Sequence, residues 1–409
     1  MNDRADIEDR RMQKFLFNRM ECAGSVGDLG TLLPIAMGMI LINGLNPLGL
    51  FFAIGLYYVI SGLYFKVTVP IQPMKVIGAY AIATGMAASQ IFASGLLIGI
   101  FLFLLGATGA ITTIGKYTPK SVVRGVQLST GTLLMVQGVK FIVGSSKYQL
   151  LRQAVEPYLQ IQHLGPIPIG WIIGAVAGIV TLLLIENRKL PAGLLVVCSG
   201  LAIGCLLGTY EGMSSVRLDI HLPKILPFDF PSGPDFTTAI FILVLPQIPM
   251  TLGNAVIAYS DLSKDYFGDA SEKVTYRSAC ISMAFANFIS FLLGGMPLCH
   301  GAGGLAAHYR FGARTAGSNL IIGAVFILLA VLFGSHILSL VYLLPMSILG
   351  VLLLFAGSQL ALTLLDIKAR KDLFVVMVML GITLASNLAV GFVVGFGIAY
   401  LLKSSKTAV

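Results

Sequence analysis

Two stretches decide the fold: V69-PIQPMKVIGAYAI-A83 and G294-GMPLCHGAGGLAAHYRFGA-R314. Each sets an extended, proline-containing entry before helix-forming residues. Pro73 suits the first turn of a helix, where a missing N–H costs nothing, and places Lys75 about three residues into that helix. Pro297 and the cluster Gly301, Gly303 and Gly304 repeat the arrangement, with His300 at the second helix start. The expected short helices cover 72–87 and 299–309. Extended chain followed by a half-helix, twice in one sequence, points to a binding site near a bilayer midplane. Two helix N-termini meeting there expose N–H groups and positive dipole ends, which suits an anion. Glycine lets the backbone approach that ligand closely.

Working outward, the surroundings are membrane-like. The chain has 409 residues, 56% hydrophobic and 11% charged, with a mean hydropathy of +0.89. A soluble domain carries about a quarter charged residues, so a set of soluble domains is excluded. The 46 glycines suit close packing of membrane helices. A span needs about 20 apolar residues, and apolar runs continue from Cys22 to Leu402. The reading is an all-α polytopic membrane protein with about fourteen segments. Long helical runs exclude an outer-membrane barrel. The first run lacks a clean cleavage site and reads as a retained span. Cys22, Cys198, Cys205, Cys280 and Cys299 form no disulfide framework.

Basic residues test this topology. Of 27 Lys and Arg, 21 fall on one side: Arg4, Arg10, Arg11, Lys14, Arg19, Lys66, Lys116, Lys120, Arg124, Arg188, Lys189, Lys264, Lys273, Arg277, Arg310, Arg314, Lys368, Arg370, Lys371, Lys403 and Lys406. Lys147, Arg152, Arg217 and Lys224 fall on the other, while Lys75 and Lys140 lie within spans. The positive-inside rule then places both termini in the cytoplasm, with the chain in the cell (inner) membrane. The formal charge of +9 is thus topological, and no nucleic-acid partner is expected.

An internal repeat organises the chain. SVGDLG at 25–30 aligns with TLGNAV at 251–256, and PKSVV at 119–123 with PMSIL at 345–349, both at an offset of 226. VPIQPMK at 69–75 falls opposite GMPLCHG at 295–301 within one residue. Two halves of seven spans are inverted relative to each other, because seven is odd. The expected organisation is a cytoplasmic segment 1–21, a first repeat 22–208, an extracytoplasmic loop 209–235, a second repeat 236–403 and a cytoplasmic tail 404–409. The loops 144–165 and 209–235 read as outer caps.

The two proline-glycine stretches, with SVGDLGTLLP at 25–34 and LPQIPMTLGNAVIAYSDLSKDYF at 245–267, resemble the molybdate transporter family. That family is related to sulfate transporters and to the nucleobase transporter fold. The resemblance implies fourteen segments in core and gate parts and uptake of molybdate between the two half-helices. Neither the C-terminal cytoplasmic domain of the broader sulfate transporter group nor regulation through it is expected here.

The candidate site gathers Gln72, Met74, Lys75, Cys299, His300, Gly301 and Gly303, with Thr31, Gln247 and Asn254 as neutral donors on lining helices. An intramembrane charge such as Lys75 is functional by default, against a lysine snorkelling to the interface. Gln72 is a ligand donor or a structural cap, and His300 a donor to an oxyanion or a packing histidine. Asp28, opposite Asn254 in the repeat, is a proton carrier, a partner for Lys75 or an acceptor for backbone N–H groups. Thr31, Gln247, Thr251 and Asn254 could equally glue helices together. Cys299, His300 and His308 lack the spacing and carboxylate of a metal site. Neither metal nor cofactor is expected. The expected partners are molybdate, with tungstate or sulfate competing, the lipid bilayer, a co-transported proton and a second copy in a homodimer.

The function implied is a secondary active importer of molybdate working by alternating access. Sulfate, another oxyanion or a nucleobase on the same fold is the alternative. The eighth span, LVLPQIPMTLGNAVIAYS, carries no acidic residue, whereas nucleobase transporters of this architecture use one there. A membrane-embedded enzyme would need an acid–base or metal constellation that is not apparent, and a channel would not need a site closed by two half-helices.

Overall fold

In the computed structural model, residues 15–111, 119–185, 187 and 190–403 are described. Arg4, Arg10, Arg11, Lys14, Lys116, Arg188, Lys189 and Lys406 fall outside them, as do most of segment 1–21 and all of 404–409. The chain is overwhelmingly helical. Seven helices among the described residues are long and apolar enough to cross a membrane: Arg19–Asn43, Pro47–Phe65, Ala88–Thr108, Lys120–Arg152, Gly233–Ser271, Gly317–Val341 and Met346–Asp366.

In chain order, α1 (Arg19–Ser25) and α2 (Leu29–Asn43) are two parts of one broken helix. The break is a packing device. A Cβ on Gly24 would lie 2.1 Å from Ala313 N, and one on Gly27 2.9 Å from Ala307 O. Only glycine lets the second half-helix approach this closely. The helix α3 (Pro47–Phe65) starts on Asn46, whose side chain accepts from Gly49 N, with proline in the first turn as helix starts favour. Strand β1 (Gln72–Pro73) leads into α4 (Lys75–Thr84), which stops at the left-handed Gly85. Then come α5 (Ala88–Thr108), α6 (Lys120–Val143), the short α7 (Lys147–Arg152), strands β2 (His163–Leu164) and β3 (Ile167–Pro168), α8 (Ile169–Leu184) and α9 (Ala192–Leu207).

The long α10 (Gly233–Ser271) is irregular, with π-helical turns at Ala239–Val244 and Thr251–Ala258. Between them Pro246 and Pro249 interrupt the ordinary ladder, since neither carries an N–H. Then follow α11 (Tyr276–Leu292), β4 (Leu298–Cys299), α12 (Ala302–Phe311), α13 (Gly317–Phe333), α14 (Ile337–Val341), α15 (Met346–Ala361), α16 (Arg370–Ala385) and α17 (Leu388–Leu402).

Packing follows small residues. The helix α3 lies along α13, and α5 along α11. On the other side α6 lies along α15, where a Cβ on Gly131 would come 2.6 Å from Gly357 O and one on Gly357 2.6 Å from Gly131 O. Gly138 and Gly350 meet in the same reciprocal way at 2.5 Å. In lipid, such backbone approach supplies the dispersion contacts that hold helices together. The loop 144–165 is more than a cap. Its buried Glu156 accepts from Met346 N at 2.7 Å and Ser347 N at 2.8 Å, closing the exposed donors at the start of α15.

Candidate functional site

The two extended entries pair with each other. Gln72 stands opposite Cys299 and Pro73 opposite Leu298 in an antiparallel pair, and Met74 N donates to Pro297 O at 2.9 Å. Pro73 therefore lies in the strand before the first half-helix, not in its first turn. The strand pair uses the extended φ that proline already favours, and Lys75 becomes the first helical residue. His300 likewise precedes its helix, which begins at Ala302.

Two asparagines hold these short strands. Asn287 accepts from Leu298 N at 3.0 Å and donates to Leu298 O at 2.8 Å. Asn319 does the same for Val69, at 2.9 Å in both directions. Each side-chain amide substitutes for a neighbouring strand, so no backbone group of Leu298 or Val69 is left dry.

A cavity of about 400 Å³ lies beside the half-helix starts. One wall carries Asp28, Thr31, Gln72, Lys75, Asn254 and Gly303; the facing wall carries Gln127, Thr181, Phe355, Gln359 and Thr363. Six of the residues singled out in the sequence thus meet in one space.

The half-helices differ electrostatically. At α4, Gln247 Oε1 accepts from Val76 N at 3.1 Å and Ile77 N at 3.3 Å, while its amide donates to Thr251 Oγ1 at 2.9 Å. A neutral side chain thus occupies the donors that an anion would otherwise claim. At α12, the N–H groups of Ala302, Gly303 and Gly304 have no acceptor among the described residues. The ammonium of Lys75 reaches across to this open end. Its Nζ stands 3.9 Å from where a Cβ on Gly303 would lie, and it forms no hydrogen bond or ion pair with a described residue. A cation thus stands near the start of a half-helix whose first donors are open.

Asp28 occupies the N-cap position of α2 yet caps nothing. Its Oδ2 instead accepts from Gln72 Nε2 at 2.6 Å, and Lys75 is close enough to act on it electrostatically. Gln72 Oε1 is buried without a partner among the described residues and faces Gly301, where a Cβ would come within 1.7 Å of it. Gly301 is thus a packing requirement for Gln72. Gly303, whose added Cβ would meet only Lys75 Nζ, faces the open space.

The remaining candidates point elsewhere. Cys299 is buried in β4 with its thiol toward Pro73 O at 3.7 Å, and Met74 is fully buried behind the strand pair. His300 is turned away from the cavity. Its Nδ1–H faces Pro70 O at 3.1 Å, and Nε2 lies 3.0 Å from both Tyr57 OH and Ser282 Oγ. The donor at Nδ1 follows from its carbonyl partner, which can only accept.

Sequence reasoning missed the facing wall. Gln127, Gln359 and Thr363 sit in helices that read as ordinary spans. Their only signal is a polar residue inside an apolar run. Thr363 Oγ1 donates to Gln127 Oε1 at 2.9 Å, which also accepts from Arg124, itself paired with Asp366.

Comparisons with known proteins agree with this architecture. A family model described as molybdate transporter of the MFS superfamily matches residues 20–134 and 239–360. Molybdate transporter 2 of Arabidopsis thaliana is 31% identical over 94% of this chain and 87% of its own length. Two solved structures of solute carrier 26 family member A9 share the fold at 15% identity, with TM-scores of 0.64 and 0.66. They cover 94% and 96% of this chain, which spans 65% and 70% of theirs. The transmembrane domain of the cyanobacterial bicarbonate transporter BicA aligns with a TM-score of 0.61 at 13% identity, over 94% of this chain and 98% of that domain. With its broken first helix, its paired half-helix entries and a match running through both, this multi-pass membrane protein belongs to the molybdate transporter family.

Proposed function

We propose that the chain is a secondary active importer of molybdate, with the dianion held between Lys75 Nζ and the open N-terminus of α12. One observation carries this reading: Lys75 and Gly303 line the cavity together, and neither the ammonium nor the first N–H groups of α12 have an acceptor among the described residues. Charge-assisted bonds from backbone N–H groups suit oxyanions. The site is sparse in donors, and its walls include apolar Ile35, Leu352 and Phe355. A sparse site favours the anion that costs less to dehydrate, hence the larger molybdate over sulfate.

Asp28 supplies the coupling. Two unit charges about 6 Å apart at an effective dielectric of 20 interact by about 3 kcal/mol, so a dianion and an ionised Asp28 oppose each other strongly in one cavity. Protonating Asp28 removes that repulsion, and linkage makes anion binding and proton uptake favour each other. The proton and molybdate then travel together.

The framework for alternating access is a pair of inverted seven-segment repeats with fourteen segments in all. Three features support it. The β1–β4 register maps onto itself at the offset of 226, since Gln72 faces Cys299 and Pro73 faces Leu298. Gly131 meets Gly357 at the same offset. The α3–α13 contact has its counterpart in α5–α11.

Competition calorimetry on purified protein tests the reading. Molybdate and tungstate should displace each other, sulfate should compete weakly and phosphate least, with affinity rising as pH falls. Sulfate binding more tightly than molybdate would move the assignment to the sulfate alternative.

A further inference from the structure

A second hollow shares no lining residue with the anion cavity. It is a groove of about 630 Å³ between α3 and α11, lined by Tyr57, Ile60, Tyr64, Ile281, Ser282 and Phe285, with Lys273 and Arg277 at one end. Ile60, Tyr64 and Phe285 are exposed. Apolar walls of this kind on a membrane helix pair face lipid tails. From Tyr64 to Tyr57 the groove descends seven residues, about 10 Å along a helix, which reaches from the headgroup layer into the acyl region. At its head Lys273 Nζ lies 5.5 Å over the Tyr64 ring. Neither Lys273 nor Arg277 forms an ion pair among the described residues. Two cations therefore line the end of an apolar slot without an ion-pair partner among the described residues.

We propose that this groove binds one anionic phospholipid, with its phosphate at Lys273 and Arg277 and an acyl chain along Ile60, Ile281 and Phe285. Charge complementarity selects the occupant. A zwitterionic lipid fills the slot equally well but brings its own cation to the two basic residues, whereas an anionic headgroup does not. A soluble phosphate satisfies the cations but leaves the apolar walls uncovered.

The position gives the lipid a route to the transport machinery. At the floor of the groove Tyr57 OH and Ser282 Oγ are hydrogen bonded to each other, and each lies 3.0 Å from His300 Nε2. His300 immediately precedes Gly301, the N-cap of α12. A chain lying against Tyr57 and Ser282 therefore steadies the residue from which the open half-helix departs.

The test uses the full-length protein in detergent, read by native mass spectrometry and thermal unfolding. Phosphatidylglycerol should be retained roughly tenfold over phosphatidylcholine of the same chains and should raise the melting temperature, while glycerol phosphate should do neither. Lys273→Gln combined with Arg277→Gln should abolish the tenfold preference. Lys147→Gln with Lys224→Gln, an equal loss of charge at exposed positions outside the groove, should leave it intact. Equal retention of the two lipids, a preference that survives in the Lys273/Arg277 variant, or one lost equally in the Lys147/Lys224 variant would overturn the proposal. A response to glycerol phosphate alone would assign the cations to a soluble anion instead.

Discussion

Removing the ammonium of Lys75 is the most informative single perturbation, because the structure isolates its contribution. The side chain departs from the first turn of α4 and ends 3.9 Å from the position of a Cβ on Gly303, with no hydrogen bond to a described residue. Its gross attraction for a dianion about 5 Å away is about 7 kcal/mol at an effective dielectric of 20. Most of that is offset by dehydration of both ions. What remains is the net worth of a hydrogen bond to a charged group, about 1.5–3 kcal/mol. Lys75→Ala should therefore weaken molybdate binding about ten- to a hundredfold. Calorimetry at fixed pH and ionic strength reads this directly. Arg314→Ala is the control, since Arg314 is exposed at the far end of α12, stacked over Tyr309 at 3.5 Å, and its affinity should stay within about twofold, less than 0.5 kcal/mol. Unchanged affinity in Lys75→Ala would refute the reasoning, for it would mean the anion never meets the ammonium.

Other substitutions divide scaffold from site. Gly303→Ala should fold with the parent melting temperature and Gly303→Val should lose molybdate binding, whereas Gly301→Ala, whose Cβ would collide with Gln72 Oε1 at 1.7 Å, should lower the melting temperature outright. Gln247→Ala leaves Val76 N and Ile77 N without their acceptor and should cost about 1–3 kcal/mol, seen as a lower unfolding temperature; a parent-like value would mean these donors find another acceptor. Glu156, in the loop before α8, gives a pH signature. Burial pushes its carboxyl up to about 7 from 4.5, against hydrogen bonds from Ser347 and Met346 that lower it. A raised carboxyl favours the protonated fold, so its contribution is complete below pH 4.5 and is lost as pH rises through about 7. Thermal stability in detergent should fall across that window, and Glu156→Gln should flatten the slope; equal slopes would contradict the assignment.

The fold was legible where local chemistry and global plan coincide. VPIQPMK and GMPLCHG announce extended entries because proline fixes its own φ and turns the residue before it away from the helical region, and the offset of 226 aligns the two stretches. The donors were only half legible. That Gln247 would cover the N-terminus of α4 depends on the path of α10 around Pro246 and Pro249, some 170 positions away in the chain, so the two half-helices looked equivalent in sequence. His300 looked like a ligand because it precedes glycines, but its ring orientation is decided by Tyr57 and Ser282 on other helices. Gln127, Gln359 and Thr363 were passed over because a polar residue in a span reads as helix glue until its facing wall is known.

The central claim is a location, and anomalous scattering from bound tungstate tests it most directly, with a crystal of the full chain grown at low pH in that anion. The account predicts one dominant peak in the cavity, within hydrogen-bonding reach of Lys75 Nζ and of the Gly303 and Gly304 N–H groups, lost in Gly303→Val. A dominant peak at the N-terminus of α4 beside Gln247, or outside the cavity altogether, would contradict it.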